Sequence, residues 1–160
     1  MDINTSLSEK EYINASLTIM LSKITIRIFL GLNLLIIISN AFMNIITAKS
    51  ILPGILSPVI ILSAFLAITY FSLKRAYKNN PGIKENIAYQ FQENNLVIKG
   101  ESFSSELTWN KIKKVTKSKK WLLIWQTNQI ANAIQRNSVT EEDMNSLKEI
   151  LLKHNVKNNL

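Results

Sequence analysis

Apolar residues fill two runs near the start of the chain, Ile28 to Ile46 and Ile51 to Leu73, and neither run holds a charged side chain. About 20 apolar residues rising 1.5 Å each are enough to cross the hydrocarbon core of a bilayer. Only Thr47-Ala48-Lys49-Ser50 separates the two runs. The pattern predicts a transmembrane hairpin over 24–75, with spans at about 26–47 and 51–73. Some 25 mostly polar residues precede the first run, and it is too long for the core of a cleaved signal peptide, so an uncleaved anchor is expected. Pro53 suits the first turn of the second span, and Pro58 is expected to loosen that helix locally, as spanning helices tolerate.

Polar positions break the first run at Asn33, Asn40 and Asn44, whose offsets of seven and four put all three amides near one helix face. Amides are costly against lipid, so that face is expected to pack on the second span or on another membrane protein. Ser57, Ser63, Ala64 and Ala67 are the small or polar partners that the second span offers.

Residues 1–23 form an N-terminal leader with two open readings. Ser8 and Glu11 have the spacing of a capping box, and Tyr12, Ile13, Leu17, Met20, Leu21 and Ile24 recur at helical intervals. An amphipathic helix on the membrane surface is one reading. An unstructured leader is the other.

Beyond the hairpin the period shortens to two. Asn79-Asn80-Pro81-Gly82 marks a turn, then Ile87, Tyr89 and Phe91 alternate with polar residues. Leu96-Val97-Ile98 predicts a second strand and Glu106 to Trp109 a third. Val115 to Ser118 and Trp121 to Thr127 predict a hairpin turning at Ser118-Lys119-Lys120, and Gln129 to Ile134 one more strand. Thr140 caps a final helix whose apolar stripe is Met144, Leu147, Ile150 and Leu151. The expected fold is an α+β membrane protein: a two-helix hairpin, then over 84–157 a small antiparallel sheet closed by a C-terminal helix.

Charge separates the two halves. The chain carries a formal net +8, of which residues 74–160 supply +7 from 15 basic and 8 acidic side chains. Lys23 and Arg27 precede the first run, and Lys74, Arg75 and Lys78 follow the second. Positive charge favours the cytoplasmic side, so both termini are expected in the cytosol. The densest cluster is Lys111, Lys113, Lys114, Lys117, Lys119 and Lys120. Near an inner leaflet such lysines gain about 1 kcal/mol each from anionic lipid. A solvated edge that protects a strand from aggregation explains the same run, and nucleic-acid binding is a third, less favoured reading because no aromatic residues interleave it.

The ordered set Tyr89-x-Phe91-x-Glu93-x-x-Leu96, Trp109-x-x-Ile112-x-x-Val115, the strand Trp121-Leu122-Leu123-Ile124-Trp125 and the helix opened by Thr140-Glu141-Glu142-Asp143 resembles the YcxB-like family of bacterial membrane proteins. The resemblance implies two spans ahead of a pleckstrin-homology-like domain, in the bacterial cytoplasmic membrane. It implies no catalytic residue. The family often has a proline and a basic residue before the last helix; here Arg136 is retained and the proline is not.

Candidate chemistry is sparse. The chain has no cysteine and one histidine, His154, which sits among lysines and reads as structural or solvated. Glu141-Glu142-Asp143 reads as helix capping rather than a metal site. Of Trp109, Trp121 and Trp125, two are expected in the core and one at a membrane or partner contact, and Trp121–Trp125 offers a second possible contact surface because it is apolar on both faces. No nucleophile–base pair or phosphate loop is recognisable, so no enzyme, cofactor or metal is expected. The expectation is a membrane-anchored module that binds anionic headgroups or a protein partner through the lysine run and Arg136, with a weak homodimer through the Asn33, Asn40 and Asn44 seam. The alternative is an immunity or exclusion protein guarding the membrane against a toxin, through the hairpin or the aqueous domain.

Overall fold

The computed structural model describes residues 1–46 and 52–160. Its elements are β1 (Asp2–Thr5), α1 (Glu9–Ser22), α2 (Ile24–Ile46), α3 (Leu52–Asn79), β2 (Ile87–Phe91), β3 (Asn95–Lys99), β4 (Ser104–Thr108), β5 (Lys114–Lys117), β6 (Trp121–Trp125), β7 (Ala131–Gln135), α4 (Glu141–Lys153) and β8 (Lys157–Asn158).

Two helices, α2 and α3, are long and apolar enough to cross a membrane, over Ile24–Met43 and Ile55–Asn79. Of these windows 0% and 6% is buried within the protein, whereas a helix at the centre of a soluble core is mostly buried. Their outward faces carry large apolar side chains such as Leu35, Phe42, Ile60 and Phe71. The helices pack on each other, with the Phe29 and Phe65 rings 5.3 Å apart. Asn33 and Asn40 lie on the more protected side of α2, as their spacing predicts. The expected partners on α3 are different. Ser57, Ser63, Ala64 and Ala67 are exposed, and the protected stripe is Pro58, Leu62, Phe65 and Thr69. Small polar partners are not needed for Asn33, because its amide donates to the Phe29 carbonyl of its own helix at 3.1 Å. Lys49 and the side chain of Asn44 lie outside the described residues.

The strand positions follow the two-residue period closely, but they form two sheets rather than one. The first has the order β1-β2-β3-β4 and is antiparallel throughout. The second has the order β7-β6-β5-β8, with β8 parallel to β5. A single 3-10 turn at Trp109–Lys111 ends β4, so β5 starts a new sheet instead of extending the first. Both inner faces and α4 enclose one core: Ile3, Tyr89, Phe91, Leu96 and Ile98 from the first sheet, Val115, Leu122, Ile124 and Ile134 from the second, Met144, Leu147 and Leu151 from the helix. Trp109 lies in the same core.

Helix α4 has the predicted cap, with the Thr140 hydroxyl and the Asp143 carboxylate each bonded to the other's backbone N–H. Asn155, at φ 55°, takes the left-handed conformation that asparagine tolerates, and the chain turns there into β8.

The leader is structured. Its first residues form β1, an edge strand whose register pairs Ile3 with Tyr89 and Thr5 with Ile87. Ile3 is 2% exposed, so residues ahead of α2 and α3 complete the core of the domain behind them. Helix α1 follows, with the Ser8–Glu11 capping box in place. It lies against the second sheet. All five residues of β6 are buried, with Leu122 and Ile124 facing the inter-sheet core and Trp121, Leu123 and Trp125 covered by Ala15, Leu7 and Ile19. Fully burying a side chain of this size contributes about 1.5–3 kcal/mol, which makes α1 an integral cover for the sheet. All three indoles are therefore buried rather than two, and Trp121–Trp125 has no free face for a second contact. The sequence shows that β6 is apolar on both faces but not that the cover comes from the same chain.

Candidate anion-binding site

The second sheet, its β5–β6 turn and the start of α1 converge on a basic cavity of about 490 Å³. Three local features build it. The turn Ser118-Lys119-Lys120 is fixed by Ser118, whose hydroxyl and backbone N–H both bond the Trp121 carbonyl while its Oγ accepts from the Trp121 N–H. The chain leaving β7 is held against that turn by the Arg136 N–H, which donates to the Lys120 carbonyl at 2.9 Å. Gln135 Nε2 donates to the Ser6 carbonyl at 3.0 Å and brings in the segment that opens α1.

The resulting wall carries Lys10, Lys119, Lys120 and Arg136, with Glu11 as its acid. The acid is already engaged. Glu11 Oε2 accepts from the Ser8 N–H at 2.9 Å and the Ser8 hydroxyl at 2.6 Å, and these bonds hold its carboxyl below the usual carboxylate range. Arg136 is also engaged, donating to the Val139 carbonyl at 2.7 Å and pairing with Glu141. Lys10, Lys119 and Lys120 are exposed. Three exposed ammonium groups beside one carboxylate leave the wall with excess positive charge that suits an anion, because an ammonium pairs as a point charge without a fixed fork.

The structure gathers only part of the predicted set. Lys119, Lys120 and Arg136 line the cavity; Lys111, Lys113, Lys114 and Lys117 do not. Lys114 lies over the Trp125 ring, 4.9 Å from its centroid. Lys117 is exposed, its backbone N–H bonded to Asn159. Lys111 and Lys113 are exposed beside the turn that precedes β5. Lys10 was not among the expected residues. The capping box placed it on the first turn of a helix, but nothing in the sequence brought that helix to the second sheet.

His154 stacks on Trp109, with ring centroids 5.8 Å apart, and its Nε2 lies 2.7 Å from the Glu93 carbonyl oxygen. Nearby, a hydrogen bond from Lys153 and the charge of that ammonium lower the Glu93 carboxyl. Among the described residues, no three of His, Cys, Asp and Glu gather into a metal-binding group.

These elements define an α+β protein with two apolar helices of membrane-crossing length, two packed sheets and a C-terminal helix. The family model described as YcxB-like protein matches residues 91–151. The match runs from the last residue of β2 into α4 and leaves out β1, α1 and both apolar helices. No curated protein and no solved structure gives a significant match to the chain.

Proposed function

We propose that the protein is a non-catalytic module anchored in the bacterial cytoplasmic membrane by a two-helix hairpin, with a pleckstrin-like domain on the cytosolic side that holds anionic lipid headgroups. The observation that carries the reading is the convergence of Lys10, Lys119 and Lys120 on one cavity in which, among the described residues, Glu11 is the single acid. Two sheets packed face to face with a helix closing one end are the framework expected of a pleckstrin-like domain.

Topology has support of its own. β1 precedes the hairpin and β2 follows it, and the two are hydrogen-bonded neighbours. A hairpin that crosses twice returns the chain to its starting side, where β1 can meet β2. Lys23, Arg27, Lys74, Arg75 and Lys78 flank that side, in keeping with the cytosol. Ties between α1 and the foot of α3 hold the domain close to the hairpin. The Tyr77 hydroxyl donates to the Leu7 carbonyl at 3.0 Å, Lys74 pairs with Glu9 at 3.6 Å, and the Tyr12 and Tyr77 rings lie 5.8 Å apart.

The test is lipid retention by the full chain. Purified in detergent and analysed by native mass spectrometry, it should keep phosphatidylglycerol in preference to phosphatidylcholine. Lys10→Glu/Lys119→Glu/Lys120→Glu should abolish that preference, and Lys111→Glu/Lys113→Glu should leave most of it. Equal loss from both variants would mean that general charge, not the cavity, attracts the lipid.

A further inference from the structure

A second, larger cavity of about 760 Å³ opens between α1 and the edges of the two sheets. Its volume falls in the range of pockets that enclose small molecules. Helix α1 contributes Tyr12, Ala15, Ser16 and Ile19, a spacing of three, one and three that places all four on one face. The opposite wall includes Tyr89 and Asn132 from the sheets. The 3-10 turn Pro81–Ile83 and Phe103 close the end nearest α3. Among the described residues, no charged side chain lines this cavity, in contrast to the basic one.

Position specifies the occupant: α1 leads directly into α2, which begins at Ile24 shortly beyond the lining residue Ile19, while Asn80 and Pro81 begin the wall where α3 ends. The cavity therefore lies beside the place where both apolar helices join the domain. We propose that this cavity takes one acyl chain of a bilayer lipid. The charged headgroup stays outside, since nothing in the lining would compensate it. Tyr89 remains a neutral phenol, because burial pushes its hydroxyl up to about 12, so it adds no charge to the apolar wall.

The inference rests on the reading of α2 and α3 as bilayer-inserted, and one experiment separates the two. The full chain is reconstituted into vesicles of phosphatidylethanolamine and phosphatidylglycerol that contain a phosphatidylcholine with a photoactivatable diazirine on its acyl chain. After irradiation, adducts are mapped by peptide mass spectrometry. The expected result is labelling of α2 and α3 together with peptides covering Tyr12–Ile19 and Pro81–Phe103. Ser16→Phe, which fills the cavity, should remove the second set and leave the first, and Ser16→Ala should retain both. Labelling confined to the two apolar helices overturns the acyl-chain site while leaving the membrane reading intact. No labelling of the apolar helices overturns both. If Ser16→Phe fails to fold, the map of the unmodified chain still decides the matter.

Discussion

Trp109 is buried in the domain's core and held there by both hydrogen bonds and ring contacts. Its indole N–H is shared between the Gln92 and Glu93 carbonyls at 3.3 and 3.0 Å, and its ring stacks between Phe91 and His154. Trp109→Ala should cost about 3–5 kcal/mol, the range of large aromatic truncations, and thermal unfolding of the full chain in detergent would measure it. Tyr89 gives a pH-dependent prediction. Its folded-state pKa is raised from 10.0 to about 12 by burial, so the stability it contributes is complete below pH 10 and is lost as pH rises towards 12. A spectrophotometric titration should find one phenol ionising near 12, and Tyr89→Phe should remove that step and reduce the alkaline sensitivity of unfolding. At this scale the sequence is informative about burial in the strands, because alternation marks Tyr89, Phe91, Leu96 and Ile98 as one-sided. It is silent on Lys10, whose role depends on a contact between segments far apart in the chain.

Elements bounded by local chemistry are the ones the sequence predicts best. Thr140 with Asp143, and Ser8 with Glu11, are reciprocal caps closed within four residues, so the spacing marks a helix start at each, although for residues 1–23 the sequence leaves an unstructured leader equally open. Ser8→Ala should cost about 1 kcal/mol and loosen the first turn of α1, seen as faster amide exchange at residues 9–12. Because hydrogen bonds from Ser8 lower the Glu11 carboxyl, that cap's contribution is present above the ordinary carboxylate range and is lost as pH falls through the lowered value. Glu11→Ala should remove this acid-sensitive component of the exchange. Strands β1 and β8 carry no such signal. Each is a short edge strand whose identity comes from a distant partner, β2 for one and β5 for the other. Ile3→Ala should nonetheless cost about 2–5 kcal/mol, the range for a buried large aliphatic, and its measured value distinguishes a structural β1 from a dispensable leader.

The whole molecule ties its N-terminus to its C-terminal half around the apolar hairpin. Strand β1 completes the first sheet, α1 covers the second, and Tyr77 and Lys74 anchor α1 to the foot of α3. Two cavities meet α1, one lined by lysines and the other, among the described residues, by no charged side chain, and they are the proposed headgroup and acyl-chain sites. The hairpin and the strand-then-helix order were readable from hydropathy, but the wrapping of residues 2–22 around the later domain was not, because no local pattern encodes which surface a short helix will cover. In the proposed topology the apolar helices cross the membrane twice and return the chain to the side where β1 pairs with β2. Its most direct test is a set of compartment-sensitive reporter fusions at residue 1, within the connection at residue 48, and at residue 160 of the full chain. A double crossing gives a cytosolic signal at both termini and the opposite signal at residue 48; opposite signals at the two termini, or one signal at all three positions, would rule it out.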